Sequence, residues 1–225
     1  MDSPSASGSA SRTGTGPDLP ESYFRSDRER VLEAMLRVAA AKGYEATTVP
    51  DVVEAGGISQ ETFEELFGDK ESCFLEAYDA AIDVAVAHVS GAFEAAAQEQ
   101  WARRIEAALR ALVELFAAEA EIIRMAMVEV TAVGEEARLR YRASLGRFTP
   151  FLEEGRSASP QGGELPADTA RFAIGGATSM IFDEVRAGRG PELRRILPDL
   201  VFAVLMPYLG PEAAEDEMRR VAREG

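Results

Sequence analysis

Apolar residues recur every three or four positions along most of this chain, which is the spacing of an amphipathic helix. A first helix is predicted from about Ser26 to Gly43, with an apolar stripe that lies opposite arginines and glutamates. A long helix is predicted after Asp69, and every segment from Trp101 onward repeats the helical spacing. No segment alternates apolar and polar residues as a half-buried strand does. The pattern therefore predicts an all-α fold.

Two short helices are predicted between the first helix and the long one. Thr48 and Asp51 have the spacing of a capping box, which begins a helix by satisfying its free backbone N–H groups. The Gly-Gly pair at 56–57 lets that helix stop in a sharp turn, and Ser59 caps the helix that follows. Two short helices joined in this way form a helix-turn-helix, here over 48–67, whose second helix can enter the major groove of DNA.

The charge of this region opposes that interpretation. The second short helix contains Glu61, Glu64 and Glu65 and no basic residue. Residues 21–79 carry six basic and fourteen acidic side chains, which accounts for more than half of the net charge of −15 of the whole chain. Attraction to DNA phosphates comes from clustered Lys and Arg. By composition alone, residues 21–79 would not be identified as a DNA-binding region.

The composition also bears on other classes of function. Cys73 is the only cysteine and His88 the only histidine, which excludes an internal disulfide and a cysteine zinc site and argues against a histidine-based triad. No Gly-rich phosphate loop follows a strand, so we expect no enzyme activity, no metal and no cofactor. No apolar run approaches the roughly 18–20 residues of a membrane span. Residues 1–22 predict a disordered tail without the apolar core of a signal peptide, so we expect a cytoplasmic protein with no membrane partner.

The last two apolar helices, predicted within 169–187 and 191–209, are apolar on more than one face. A helix that is hydrophobic nearly all round must be buried, and self-association is one way to bury it. The residues that we expect at a homodimer interface are Phe172, Gly176, Met180, Leu197, Val201 and Leu205. The alternative is that these helices fill the core of the monomer.

The run from GYEATTV through AGGIS and TF to LFGDKESCFLEAYD resembles the DNA-binding domain of the tetracycline-repressor (TetR) family of bacterial transcription regulators. The resemblance covers residues 25–84 and implies a three-helix domain that contains the helix-turn-helix. Residues 85–225 are similar only in pattern, and the resemblance implies that they form a helical ligand-binding and dimerisation domain. It further implies a repressor that binds a palindromic operator in double-stranded DNA as a homodimer and is released by a small hydrophobic effector.

The resemblance assigns DNA contacts to residues at the start of each helix of the motif and of the long helix that follows. These residues are Thr47, Thr48, Ser59, Gln60, Thr62 and Lys70. Hydroxyl groups and helix N-terminal amides are common phosphate donors, and Gln60 could read adenine. Arg25, Arg28 and Arg30, near the first helix, could add contacts to the DNA backbone.

Glu61 and Glu64 depart from the family pattern, in which a small residue and an aromatic residue are usual at these two positions. A carboxylate repels phosphate, although a glutamate such as Glu61 can accept a hydrogen bond from the cytosine amino group. The alternative function is therefore a helical small-molecule-binding protein with a degenerate helix-turn-helix and weak or no DNA binding.

Aromatic and methionine side chains in the C-terminal part suit a mostly apolar ligand pocket. The residues that we expect to line it are Trp101, Phe116, Arg124, Met127, Tyr141, Phe148 and Phe182. Core packing is the alternative role for each of these aromatic residues. Arg124 and Glu129 could supply polar contacts to a ligand, and since they stand five positions apart on one helix they need not pair with each other.

Overall fold

The computed structural model describes residues 26–160 and 162–224, and within these ranges the regular structure is helical. The predicted all-α fold is confirmed. None of the helices in these ranges is long and apolar enough to cross a membrane. The predicted tail at 1–22 and the candidate DNA contact Arg25 lie outside the described residues.

Four helices form the N-terminal part, and shorter and longer helices alternate after it. The first four are α1 (Asp27–Lys42), α2 (Val49–Gly56), α3 (Gln60–Phe67) and α4 (Lys70–Ala95). They are followed by α5 (Trp101–Ala118), α6 (Ala120–Arg124), a π-helical turn (Met125–Glu129), α7 (Val130–Val133), α8 (Glu135–Gly146), α9 (Thr149–Glu153) and α10 (Gly155–Ala158). The last are α11 (Thr169–Arg186), α12 (Leu197–Leu209) and α13 (Pro211–Glu224), with short 3-10 turns at Gly162–Glu164 and Gly190–Ile196.

The boundaries of the two short helices depend on the caps that the sequence predicts. The Thr48 hydroxyl and the Asp51 carboxylate form the capping box of α2, and Gly57 ends that helix in the left-handed conformation at φ 64°. The Ser59 hydroxyl accepts a hydrogen bond from the backbone N–H of Thr62 at 3.0 Å and so begins α3. Hydrogen bonds from Lys42 and from Thr48 lower the pKa of Asp51 to about 2. The carboxylate that completes the cap is thus ionised at neutral pH.

Two clusters of buried apolar side chains form the interior, and α4 belongs to both. The first cluster joins α1, α2 and α3 to the N-terminal half of α4 and to the π turn. The second joins the C-terminal half of α4 to α5, α11, α12 and α13. Because one continuous helix crosses from the first cluster to the second, the helix-turn-helix is fixed directly to the C-terminal part.

The closest packing in the second cluster is between α5 and α10. The Trp101 indole is buried, donates from Nε1 to the carbonyl oxygen of Phe151 at 2.9 Å and packs against the ring of Tyr208, with 4.9 Å between ring centroids. Gly155 lies against the same indole, so closely that a Cβ atom at this position would be 2.3 Å from a ring carbon. The Trp101 ring therefore occupies the space that a larger residue at 155 would need.

Candidate functional site

The exposed face of α3 is acidic. Phe63 and Phe67 are buried and fix this helix to the domain, whereas Gln60, Glu61, Glu64 and Glu65 are exposed to solvent. The Gln60 side-chain amide donates to a Glu64 carboxylate oxygen at 2.9 Å. The surface that would face DNA thus presents carboxylates and one amide.

The threonine and serine hydroxyls at the helix starts are largely used within the domain. The Thr48 hydroxyl is exposed but donates to the Asp51 carboxylate, and the hydroxyls of Ser59 and Thr62 lie 2.9 Å apart in a hydrogen bond with each other. Thr47 is a correction to the sequence prediction. Its side chain is only 1% exposed and donates to the carbonyl oxygen of Gly43 at 2.8 Å, so it braces the loop before α2 and does not face solvent.

Arg28 is also engaged inside the domain, against the expectation of a DNA contact. Its guanidinium pairs with the Glu76 carboxylate, donates to the carbonyl oxygen of Leu66 at 2.9 Å and lies over the ring of Phe67. Arg28 therefore ties α1 to the end of α3 and to α4.

Lys70 holds the loop that leads into α2. Its ammonium group donates to the carbonyl oxygens of Tyr44 at 3.1 Å and of Thr47 at 3.0 Å, and it lies 4.2 Å from the centroid of the Tyr44 ring. The structure thus uses Lys70, which the resemblance assigns to a DNA contact, to hold this loop within the domain.

The remaining basic side chains between residues 26 and 79 also lie against acceptors of the same region. Arg30 donates to the carbonyl oxygen of Gly56 at 3.2 Å, Arg37 pairs with Glu33, and Lys42 pairs with Asp51. All five Lys and Arg residues of this described stretch therefore have an acceptor within the same region, and a contact from Arg28 or Arg30 to DNA would have to compete with these bonds.

Loss of the Lys70 clamp should destabilise the N-terminal part. We expect Lys70→Met to lower the free energy of unfolding by about 2 kcal/mol, because hydrogen bonds from a charged donor contribute about 1.5–3 kcal/mol. Lys42→Met is the matched control, since it removes one exposed ion pair, and such pairs contribute about 0–1 kcal/mol. Urea unfolding followed by circular dichroism measures both. Equal losses in the two variants would contradict the clamp.

A cavity of about 130 Å³ lies in the C-terminal part and is lined by residues of α4, α5, α6, the π turn, α8, α9, α11 and α12. Four of the predicted pocket residues line it: Phe116, Met127, Tyr141 and Phe148. Besides Tyr141, the polar lining residues are Tyr78, Ser144 and Thr178, which the sequence did not predict. Their positions in helical phase beside apolar neighbours are a signal that could have included them.

Three predicted pocket residues do not line the cavity and are corrected here. Trp101, at the start of α5, packs its indole against Gly155 of α10, as described above. Arg124 pairs with Glu129. Phe182 packs against the second cluster on another side of α11, because it follows the cavity residue Ile181 and is turned about 100° from it around the helix axis.

The polar groups that line the cavity are neutral. The Tyr78 hydroxyl lies 3.0 Å from the Ser144 hydroxyl, which itself donates to the carbonyl oxygen of Tyr141 at 2.7 Å. Burial raises the pKa of Tyr78 to about 12 and also raises the pKa of Tyr141, so both hydroxyls are protonated at neutral pH. Within the described part of the chain, the residues that line the cavity include no charged side chain.

The predicted dimer residues fall into two groups. Leu197, Val201 and Leu205 of α12 are buried in the core of the monomer, which corrects their assignment to an interface, because α12 packs against α5, α11 and α13 at once. The residues on α11 are spaced four apart and share one side of that helix. These are Phe172, which is 75% exposed, Gly176, which is exposed, and Met180, which is half-buried.

Comparison with known proteins adds to this geometry. Residues 31–77 match the family model described as bacterial regulatory proteins, tetR family. Over 96 residues the chain is 34% identical to the HTH-type transcriptional regulator TcmR of Streptomyces glaucescens, a match that covers 37% of this chain and 42% of that regulator. The sequence match thus spans less than half the length of that relative.

Two solved structures resemble the fold of the chain. One is the transcriptional regulator FadR of Bacillus subtilis in complex with stearoyl-CoA, with a TM-score of 0.65, 15% identity and coverage of 81% of this chain and 98% of that one. The other is AibR in complex with isovaleryl coenzyme A and operator DNA, with a TM-score of 0.58, 21% identity and coverage of 83% and 99%. At these identities the likeness concerns the fold.

Proposed function

We propose that this chain, which belongs to the tetR family of bacterial regulatory proteins, is a repressor that binds a palindromic operator as a homodimer and is released by a small hydrophobic molecule. The observation that carries the proposal is the run of α4, which begins at Lys70, directly after the helix-turn-helix, and lines the apolar cavity with Ala85 and Val89. A ligand in the cavity would contact the same helix that supports α3. The proposed domains are 25–84 for DNA binding and 85–225 for ligand binding and dimerisation, and this function requires a cytoplasmic location.

The lining of the cavity supports an effector that is uncharged where it enters the protein. Buried charges need a partner, and the lining offers instead the hydroxyls of Tyr78, Ser144 and Thr178 among apolar side chains. A hydrophobic molecule with a hydroxyl or carbonyl group fits this chemistry. Ligand pockets usually measure about 300–1,000 Å³, so a cavity of about 130 Å³ must widen to admit most effectors. The coenzyme A thioesters named for FadR and AibR could insert only their acyl part into such a space.

The proposed dimer uses the free side of α11. Phe172 and Gly176 are exposed there, and a Cβ atom added at Gly176 would meet no neighbour within 4 Å. A surface with a large apolar side chain and open space at a glycine suits a second copy of the same helix. Two-fold symmetry of the protein would match the two halves of a palindrome.

Selection from a random pool of duplex DNA tests the repressor. We expect a palindromic sequence to be enriched, with contacts to bases from Gln60 and Glu61, since a glutamate can accept from cytosine. The affinity should fall only weakly with salt, because each phosphate contact adds about −0.9 to the log–log slope and each of the five basic side chains between residues 26 and 79 is already paired with an acceptor of the same region. No enrichment at low salt would refute the proposal.

The internal use of these cations favours a second candidate function, a helical small-molecule-binding protein that binds DNA weakly or not at all. Restoring the usual residue types of the family distinguishes the two candidates. Under the second candidate, Glu61→Gly combined with Glu64→Tyr should create DNA affinity where the parent protein has none. A parent protein that already selects an operator contradicts the second candidate. Fluorescence anisotropy with labelled duplexes measures both proteins.

A further inference from the structure

The π turn brings Arg124 and Glu129 together. In an α-helix residues five apart stand about 140° apart around the axis, whereas a π turn, with its i→i+5 hydrogen bonds, returns residue i+5 to nearly the same side. The Arg124 guanidinium accordingly lies 2.5 Å from the Glu129 carboxylate. This pair, which the spacing alone did not predict, exists because Met125–Glu129 is wound as a π turn.

One side of this turn holds the N-terminal part. The Glu129 carboxylate accepts from the backbone N–H of Tyr44 at 3.2 Å, and Arg124 donates to the carbonyl oxygen of Ala40 in the last turn of α1 at 3.3 Å. The loop 43–48 is therefore hydrogen-bonded by Glu129 near its start and by Lys70 at the carbonyl oxygens of Tyr44 and Thr47. This loop leads directly into the cap of α2.

Another side of the same helical segment forms a wall of the cavity. Ile123, Ala126 and Met127 line it. Only one turn of helix thus separates the ligand space from the carboxylate that holds Tyr44. A π turn contains one residue more than the α-helical turn it replaces, and such turns are frequent at functional sites.

We propose that the Arg124–Glu129 pair is a latch that couples occupancy of the cavity to the position of the loop 43–48. An occupant that needs more space than the cavity now has displaces Met127, and the turn relaxes towards α-helical winding. One residue of an α-helix corresponds to about 100° of rotation and 1.5 Å of rise, so Glu129 leaves both Arg124 and the N–H of Tyr44. The loop before α2 then loses its contact with the π turn and keeps only Lys70 and the hydrogen bonds within the loop, such as that from Thr47 to Gly43, and α2 and α3 gain freedom. The proposal rests on the proposed function in that it takes the cavity as the effector site.

The exchange rate of the Tyr44 amide hydrogen reports the latch directly, because Glu129 is its hydrogen-bond acceptor. The experiment uses the full chain and hydrogen exchange measured by NMR. We expect Glu129→Ala to raise the rate about tenfold or more, as for an amide released from its local structure. Glu121→Ala is the matched control: this glutamate is exposed on α6, and its carboxylate makes no ion pair or hydrogen bond with the described residues.

Two independent treatments then fill the cavity. The first is Ala177→Phe, which adds a ring from α11 on the wall far along the chain from the latch. The second is 1-decanol, a neutral aliphatic alcohol, added to the parent protein to saturation as judged by calorimetry. Each treatment should raise the exchange rate of the Tyr44 amide as Glu129→Ala does. In a protein that already carries Glu129→Ala, neither treatment should raise this rate further. Circular dichroism checks that the Ala177→Phe variant is folded. If it is not, the decanol experiment on the parent protein tests the coupling by itself.

The outcomes separate the latch from the proposed function. If the cavity is filled by either treatment and the Tyr44 amide exchanges at the parent rate, the coupling is wrong, even in a protein that binds an operator. If the amide responds but the parent selects no DNA, the coupling stands and the repressor proposal fails. If an operator is found, Glu129→Ala should weaken its binding about tenfold in the absence of any ligand, and Glu121→Ala should leave it unchanged.

Discussion

Phe172→Asp is expected to dissociate the proposed dimer and with it to abolish tight binding to a palindromic operator. Phe172 is 75% exposed on α11, so its replacement removes little packing within the monomer. A buried aromatic residue at the centre of an interface typically contributes about 2 kcal/mol or more, and a two-fold interface contains the residue twice. The sum of about 4 kcal/mol corresponds to a rise of about a thousandfold in the dimer dissociation constant, and two carboxylates that face each other add repulsion.

Sedimentation velocity over a range of protein concentrations measures the dissociation constant. Val84→Asp is the matched control, because Val84 is an apolar residue that is 60% exposed on a different helix, α4. It should leave the dimer intact and the unfolding transition unchanged. A Phe172→Asp protein that sediments as the parent does would show that the two copies meet elsewhere, or that they do not meet.

Gly155→Ala is expected to lower the free energy of unfolding by about 3 kcal/mol. The added methyl group would lie 2.3 Å, 2.5 Å and 2.7 Å from three atoms of the Trp101 indole. That ring cannot move aside freely, since its Nε1 donates a hydrogen bond to the carbonyl oxygen of Phe151 and the ring packs against Tyr208. Forcing extra volume into a packed core costs about 1–3 kcal/mol and occasionally more, and here the obstacle is a rigid ring, so we expect the upper end of that range.

Gly91→Ala is expected to have the opposite effect and to raise the free energy of unfolding. Gly91 lies within α4, is exposed, and has open space where a Cβ atom would go. Alanine at a helix interior position is more stable than glycine by about 0.5–1 kcal/mol, so this variant should unfold at higher urea concentration than the parent. If Gly155→Ala also stabilised the protein, the close packing of α10 on Trp101 would be wrong.

The parts of the fold that depend on near neighbours in the chain could be predicted from the sequence. The caps at Thr48 and Ser59 and the stop at Gly57 need only residues within three positions. The internal roles of Thr47 and Lys70 could not be predicted, because their acceptors are backbone carbonyl groups whose positions depend on the tertiary fold.

The C-terminal part was harder to predict for two physical reasons. An apolar helix such as α12 has no distinct polar side, so the pattern cannot tell whether Leu197, Val201 and Leu205 face another chain or the monomer core. The pairing of Arg124 with Glu129 depends on a π turn, and helical periodicity assumes α-helical winding throughout. Four of the seven predicted pocket residues line the cavity because large apolar and aromatic residues in helical phase tend to face the interior.

The continuity of α4 sets a rule for building hybrid regulators from this protein. Lys70 at the start of α4 positions the loop before α2, and Val89 in a later turn of the same helix lines the cavity. The rotation and rise of this one helix therefore fix the position of the loop contact relative to the cavity. Inserting or deleting a single residue between them would turn one end against the other by about 100° and shift it by about 1.5 Å. A chimera that grafts a foreign sensing domain onto the proposed DNA-binding domain must therefore be joined inside α4 with its residue count unchanged. A flexible linker at that junction would give two folded halves without communication between them.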